Sequence, residues 1–90
     1  MIKIEYYFNK VCPYCPAAKN LIDQLVTKNA DIELEDVDTW TEEGIKRGMA
    51  LNIMAIPAVV INGKVKIVGW PFETSDLQKF IDEAAQQPLR

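Results

Sequence analysis

Histidine is absent from this chain of 90 residues, and cysteine occurs only twice, as Cys12 and Cys15. Any thiol or metal chemistry therefore has to pass through that one pair. Glycine and proline are also scarce, at four and five positions, while 49% of residues are hydrophobic and 26% charged. That balance belongs to a folded globule and not to a disordered segment. A basic excess is missing too. The formal net charge is −3, whereas a binder of phosphate backbones would carry a basic stripe, so nucleic acid is not an expected partner. No stretch approaches the ~18 apolar residues of a membrane span. The start, Met1-Ile2-Lys3-Ile4-Glu5, alternates charge with apolar residues instead of opening the apolar run of a signal peptide. The expectation is a cytoplasmic protein with no membrane partner. In that compartment a close cysteine pair points to catalysis or metal binding before it points to a structural staple.

What is present reads as one small domain over residues 1–90, without repeats, linkers or low-complexity tracts. Ile2 to Phe8 is rich in β-formers and predicts a strand. After the short loop Asn9-Lys10-Val11 comes Cys12-Pro13-Tyr14-Cys15-Pro16, then a helical pattern to about Asn29. Ala18, Leu21, Ile22 and Leu25 form one apolar stripe, with Lys19, Asn20, Asp23 and Gln24 on the other face. Pro13 and Pro16 fit only a first helical turn, which places both cysteines at the helix N-terminus. Ile32, Leu34 and Val37 alternate with acidic residues as a half-wet strand. Thr39-Trp40-Thr41-Glu42 has the form of a capping box opening a helix to about Leu51, weakened by Gly44 and Gly48. Ile56-Pro57 opens the apolar run Ala58 to Ile61, and Asn62-Gly63 is a two-residue hairpin signal leading to Val65, Ile67 and Val68. Leu77, Phe80, Ile81 and Ala84 predict a closing helix, capped by Ser75 and Gln78 and ended by Pro88. The order β-α-β-α-β-β-α gives an α/β fold. Its first two strands are parallel, its last two form a hairpin, and helices lie on both faces of a four-stranded mixed sheet.

Two residues between cysteines is the spacing at which a first helical turn brings both sulfurs to one edge. One sulfur then attacks an outside disulfide and the other releases the product. Only a thiolate attacks, and an unperturbed cysteine has a pKa of about 8.5. The helix N-terminus, Lys10 and Lys19 would each lower that of Cys12, the sulfur nearer solvent. Cys15 would be the shielded, resolving thiol. Three other readings compete. A structural disulfide would close a four-residue ring worth only about 2 kcal/mol. A zinc site would need four ligands, and with no further Cys or His only a dimer or carboxylates could complete it. An iron–sulfur cluster would have to be shared between two protomers with outside thiols. By residue type alone, Pro57 is an ordinary trans proline at a strand start, Trp40 and Trp70 are core or rim aromatics, and Tyr14 sits on the surface of a tight turn.

Cys-Pro-Tyr-Cys after a strand, Ile56-Pro57 before another, Asn62-Gly63, and Val68-Gly69 ahead of the last helix together resemble the thioredoxin/glutaredoxin superfamily over nearly the whole chain. Cys15-Pro16, Ala17-Ala18 and Met54-Ala55-Ile56-Pro57-Ala58 look most like the small thioredoxin-like proteins of archaea. The resemblance implies a minimal thioredoxin fold and a monomeric protein-disulfide reductase with no cofactor beyond the redox-active disulfide Cys12–Cys15 and no metal. Cys12 is then the nucleophile, Cys15 the resolving thiol and Lys10 a modulator of the thiol pKa. Pro57 becomes a cis-proline facing Cys12, and Pro13, Tyr14, Ile56 and Trp70 border the substrate. The sequence departs from thioredoxins at Tyr6, where a buried aspartate is usual, and at Val11, where tryptophan is frequent. It departs from glutaredoxins at Asn9, where Lys or Arg binds a glutathione carboxylate, and at Val68-Gly69-Trp70-Pro71, which replaces Gly-Gly-Asp. The expected partners are protein disulfides, with a thioredoxin reductase or a low-molecular-weight thiol as electron donor. Glutathione-dependent glutaredoxin activity is the main alternative, and iron–sulfur carriage a lesser one.

Overall fold

In a computed structural model, which describes residues 2–29 and 32–86, the order is β1 (Ile2–Phe8), α1 (Cys15–Lys28), β2 (Ile32–Asp38), α2 (Glu42–Ala50), β3 (Ala58–Ile61), β4 (Lys64–Val68) and α3 (Thr74–Gln86). The strands form one sheet in the order β2-β1-β3-β4. β1 pairs with β2 in parallel, with Tyr6 opposite Asp36, while β1–β3 and β3–β4 are antiparallel. The expected α/β architecture is therefore the observed one.

Period-two alternation along β1 and β3 decides which side chain meets which helix. Ile2, Ile4 and Tyr6 with Val59 and Ile61 build the larger core cluster, beneath Ala18, Ile22 and Leu25 of α1 and Leu77 and Ile81 of α3. Tyr7, Ala58 and Val60 point the other way and join Val37, with Leu51 and Ile53 after α2 packed against them. All four residues of β3 are buried, as a strand covered on both faces requires. Asn62 and Gly63 turn the hairpin with φ of 51° and 82°, the left-handed pair of a type I′ turn. A register irregularity between Val59 and Val60 interrupts the β3–β4 ladder.

Three local expectations are corrected. Cys12 lies ahead of α1, whose first residue is Cys15 and whose N-cap is Tyr14, so the pair straddles the helix start instead of sharing its first turn. The cap of α2 is Thr41, whose hydroxyl accepts from the Gly44 N–H at 3.0 Å. Thr39 is drawn off by the sheet, its hydroxyl donating to the Phe8 carbonyl at 2.9 Å. α3 begins at Thr74, and Asp76 reaches back to accept from the Glu73 N–H at 3.0 Å, so Ser75 is not the cap. Asn29 is the C-cap of α1. Pro88, expected to end α3, lies outside the described residues.

Candidate active site

β1 delivers the chain to the top of the sheet, and Asn9 organises the turn that follows. Its side chain accepts from the Val11 N–H at 3.0 Å, and its carbonyl from the Cys12 N–H at 3.5 Å. Pro16, the second residue of α1, sits where a missing N–H costs nothing. Cys12 and Cys15 are joined as a disulfide with Cα atoms 5.4 Å apart. Their surroundings differ. Cys15 is 3% exposed and belongs to the main core cluster, whereas Cys12 is only partly buried at its margin.

The Tyr6 hydroxyl donates to the Cys15 carbonyl at 2.6 Å. Burial first, then the nearby carboxylates Asp36 and Asp23, push this phenol up to about 12. It stays protonated through the physiological range and keeps holding the backbone of Cys15. Beside it lies an open cleft of about 290 Å3, lined by Tyr6, Phe8, Lys10, Cys12, Cys15, Lys19 and Asp36 among others. Lys19, one turn beyond Cys15, is paired with Asp36 of β2 at 2.7 Å and with Asp23 at 3.5 Å.

On the other flank, the Ile56–Pro57 peptide is cis. The Pro57 carbonyl accepts from the Gly69 N–H at 2.7 Å, which ties this loop to the end of β4. Among the described residues, the Ile56 N–H and carbonyl make no backbone hydrogen bond. Ile56 also lines a shallow cleft of about 270 Å3 with Asn9, Ile45, Met49 and Met54. Asn9 borders both clefts, so they meet beside the cysteine turn.

The sequence-predicted residues thus fall in two groups. Lys10, Cys12 and Cys15 share one cleft. Tyr14 stacks on Trp70 with centroids 6.5 Å apart, and Trp70 meets Phe72 edge-on at 5.3 Å. Pro13 is exposed at the tip. Trp40 is 58% exposed and takes no part in that aromatic stack. Sequence reasoning did not find the Tyr6 hydrogen bond, the Lys19–Asp36 pair as part of the cleft, the role of Phe72 or a second cis peptide at Trp70–Pro71. For the ion pair a signal existed: Lys19 follows Cys15 by four residues, one helical turn.

A partly exposed sulfur and a buried sulfur at a helix start, on this sheet, define a thiol–disulfide oxidoreductase of the thioredoxin/glutaredoxin class. The family model "Thioredoxin domain" matches residues 2–82, and the chain belongs to that family. It is 37% identical over 71 residues to "Thioredoxin" of Methanocaldococcus jannaschii, covering 78% of this chain and 81% of that one. It is 32% identical over 84 residues to "Probable Thioredoxin" of Methanothermobacter marburgensis, covering 92% and 96%. Oxidised thioredoxin O2 from Arabidopsis thaliana shares the fold with a TM-score of 0.75 at 22% identity, over 92% of this chain and 74% of that one. The protein is a protein-disulfide reductase with a redox-active cysteine pair. No helix among the described residues is long and apolar enough to cross a membrane.

Proposed function

We propose that Cys12 is the attacking sulfur and Cys15 the resolving one, in a cytoplasmic monomer that uses its own dithiol as its only redox group. The observation that carries this reading is the contrast between the partly exposed Cys12 and the 3% exposed Cys15. An incoming disulfide reaches the first and not the second. The attacking thiolate gains from the N–H groups at the start of α1 and from Lys10 beside the cleft. A peptide segment of the substrate adds like a strand to the free N–H and carbonyl of Ile56, beside cis-Pro57. Its apolar side chains lie along Ile45, Met49 and Met54, the last 90% exposed. Pro13, Tyr14 and Trp70 border the opposite side. A dedicated thioredoxin reductase is the electron donor, because Asn9 and Trp70-Pro71 stand where glutathione would need a cation and an Asp-bearing loop. No role for nucleic acid or a membrane enters this reading.

Insulin-disulfide reduction driven by dithiothreitol tests the assignment. Cys12→Ser abolishes the catalysed rate, and Cys15→Ser accumulates a mixed disulfide through Cys12. A Cys12→Ser rate equal to wild type would refute the role of Cys12. Turnover with a thioredoxin reductase should exceed that with glutathione plus glutathione reductase, and the reverse order would reassign the donor.

A further inference from the structure

Resolution is the harder of the two thiol steps here. After Cys12 has attacked, the mixed disulfide joins Cys12 Sγ to the substrate sulfur. Cys15 must lose its thiol proton to solvent and attack Cys12 Sγ. The Cys12–Cys15 bond forms, the Cys12–substrate bond breaks, and the substrate leaves as a thiolate that takes up a proton. Two electrons pass from the protein dithiol to the substrate. Burial of Cys15 disfavours its charged form, so something must offset that cost.

The cleft beside Cys15 holds few charges. β1 contributes the Tyr6 phenol, the loop contributes Lys10, α1 contributes Lys19 with Asp23 behind it, and β2 contributes Asp36. The phenol remains neutral, since burial pushes it up to about 12. Lys19 is the cation placed on the same helix as Cys15, one turn on. Its ammonium lies over the Tyr6 ring, 5.7 Å from the centroid, and that ring's hydroxyl grips the Cys15 carbonyl. Lys19 is not a free charge, because Asp36 at 2.7 Å and Asp23 at 3.5 Å neutralise it.

We infer that the Lys19–Asp36 pair sets the rate of the resolving step: Lys19 is a positioning residue whose ammonium stabilises the Cys15 thiolate across the cleft, and Asp36 attenuates that effect. The inference rests on the assignment of Cys15 as resolving thiol. It has a consequence that a structural role for the same pair lacks. Either substitution breaks the ion pair, so a purely structural role moves both variants in one direction. Control by charge moves them in opposite directions, because Asp36→Asn leaves Lys19 only its longer contact with Asp23 and Lys19→Gln leaves two carboxylates unopposed.

Reduced protein mixed one-to-one with a chromogenic aromatic disulfide releases one thiolate when Cys12 attacks and a second when Cys15 resolves, so one stopped-flow trace reads both steps. At pH 6–7, Asp36→Asn should speed the second phase by about threefold, and Lys19→Gln should slow it by about three- to tenfold, as expected for one partly screened charge near a thiol. Lys19→Arg should restore the wild-type rate. Both differences should shrink at 0.5 M salt and vanish at a pH where the Cys15 thiolate is fully formed. Slowing in both variants, or no change in Asp36→Asn, overturns the inference. If Lys19→Gln is poorly folded, Asp36→Asn decides the matter together with its unfolding midpoint: acceleration at a wild-type midpoint supports control by charge, and acceleration that comes with a lowered midpoint and persists at 0.5 M salt overturns it, because loosening the fold exposes Cys15. A first phase that persists in Cys12→Ser would instead overturn the underlying role assignment.

Discussion

Tyr6 does at residue scale what its type does not announce. In a strand of β-formers it reads as one more apolar body, and as such it is 3% exposed. Its hydroxyl, however, holds the carbonyl of Cys15, the first residue of the helix that presents the thiols. Tyr6→Phe removes this second donor and leaves the carbonyl only its intrahelical bond from the Lys19 N–H, which should cost about 0.5–1.5 kcal/mol. Denaturant unfolding should show a lower midpoint at unchanged slope, and loss below 0.5 kcal/mol would mean that water replaces the phenol. The cysteine pair itself was legible because nothing else in the chain can do thiol chemistry. Pro57 was legible only through the resemblance, since residue type favours trans. The Lys19–Asp36 pair was hidden by register: Asp36 meets the cleft because it is the partner of Tyr6 across the parallel β1–β2 ladder.

At the scale of elements, α2 shows what a sequence pattern can and cannot assign. Its apolar face is thin, and its two glycines counted against it. They turn out to be unlike. A Cβ on Gly44 would stand 1.9 Å from the Asp38 carbonyl oxygen, so glycine is what lets the first turn of α2 close over the end of β2. A Cβ on Gly48 would meet nothing within 4 Å. Gly44→Ala should therefore destabilise by about 2–3 kcal/mol, and Gly48→Ala should stabilise by up to about 1 kcal/mol through helix propensity. Thermal unfolding of the two variants checks both signs, and equal effects would defeat this account of α2. The start of α2 lies two residues beyond the expected one for a related reason. At the start of α2, Thr39 and Thr41 compete, and the winner is chosen by what the neighbouring strand claims, as Phe8 claims Thr39. The hairpin was placed correctly because Asn62-Gly63 fixes its own geometry locally.

Taken whole, the molecule divides its polar and apolar fastening between the two faces of the sheet. α1 and α3 sit on the larger hydrophobic cluster. α2 is held by Arg47, which grips Glu35 at 2.8 Å and 3.1 Å and also contacts Glu5. The Arg47 guanidinium holds the Glu35 carboxyl down to about 2 from an ordinary 4.5. A depressed carboxyl stabilises the fold fully above its unfolded value, and that contribution is lost as pH falls from about 4.5 toward 2. Burial pushes Tyr6 and Tyr7 up from 10.0 to about 12. Their neutral forms favour the fold below pH 10, and that preference fades as pH rises through 12. The unfolding midpoint should therefore hold a plateau and fall at both ends. Arg47→Met should lower the plateau and flatten the acid limb, and an acid limb unchanged in slope would show that Glu35 is not its source.

The central place of β1 has a temporal consequence. This strand is made early, yet its two partners are β2 and β3, so it has no completed sheet to join until Ile61 has been synthesised. At about 5–20 residues per second, Cys12 and Cys15 leave the ribosome roughly 2–10 s before Ile56 and Pro57. During that interval both sulfurs are equally open to the cell, and the difference between an attacking and a resolving thiol does not yet exist. It is acquired when β3 and α3 complete the core that covers Cys15.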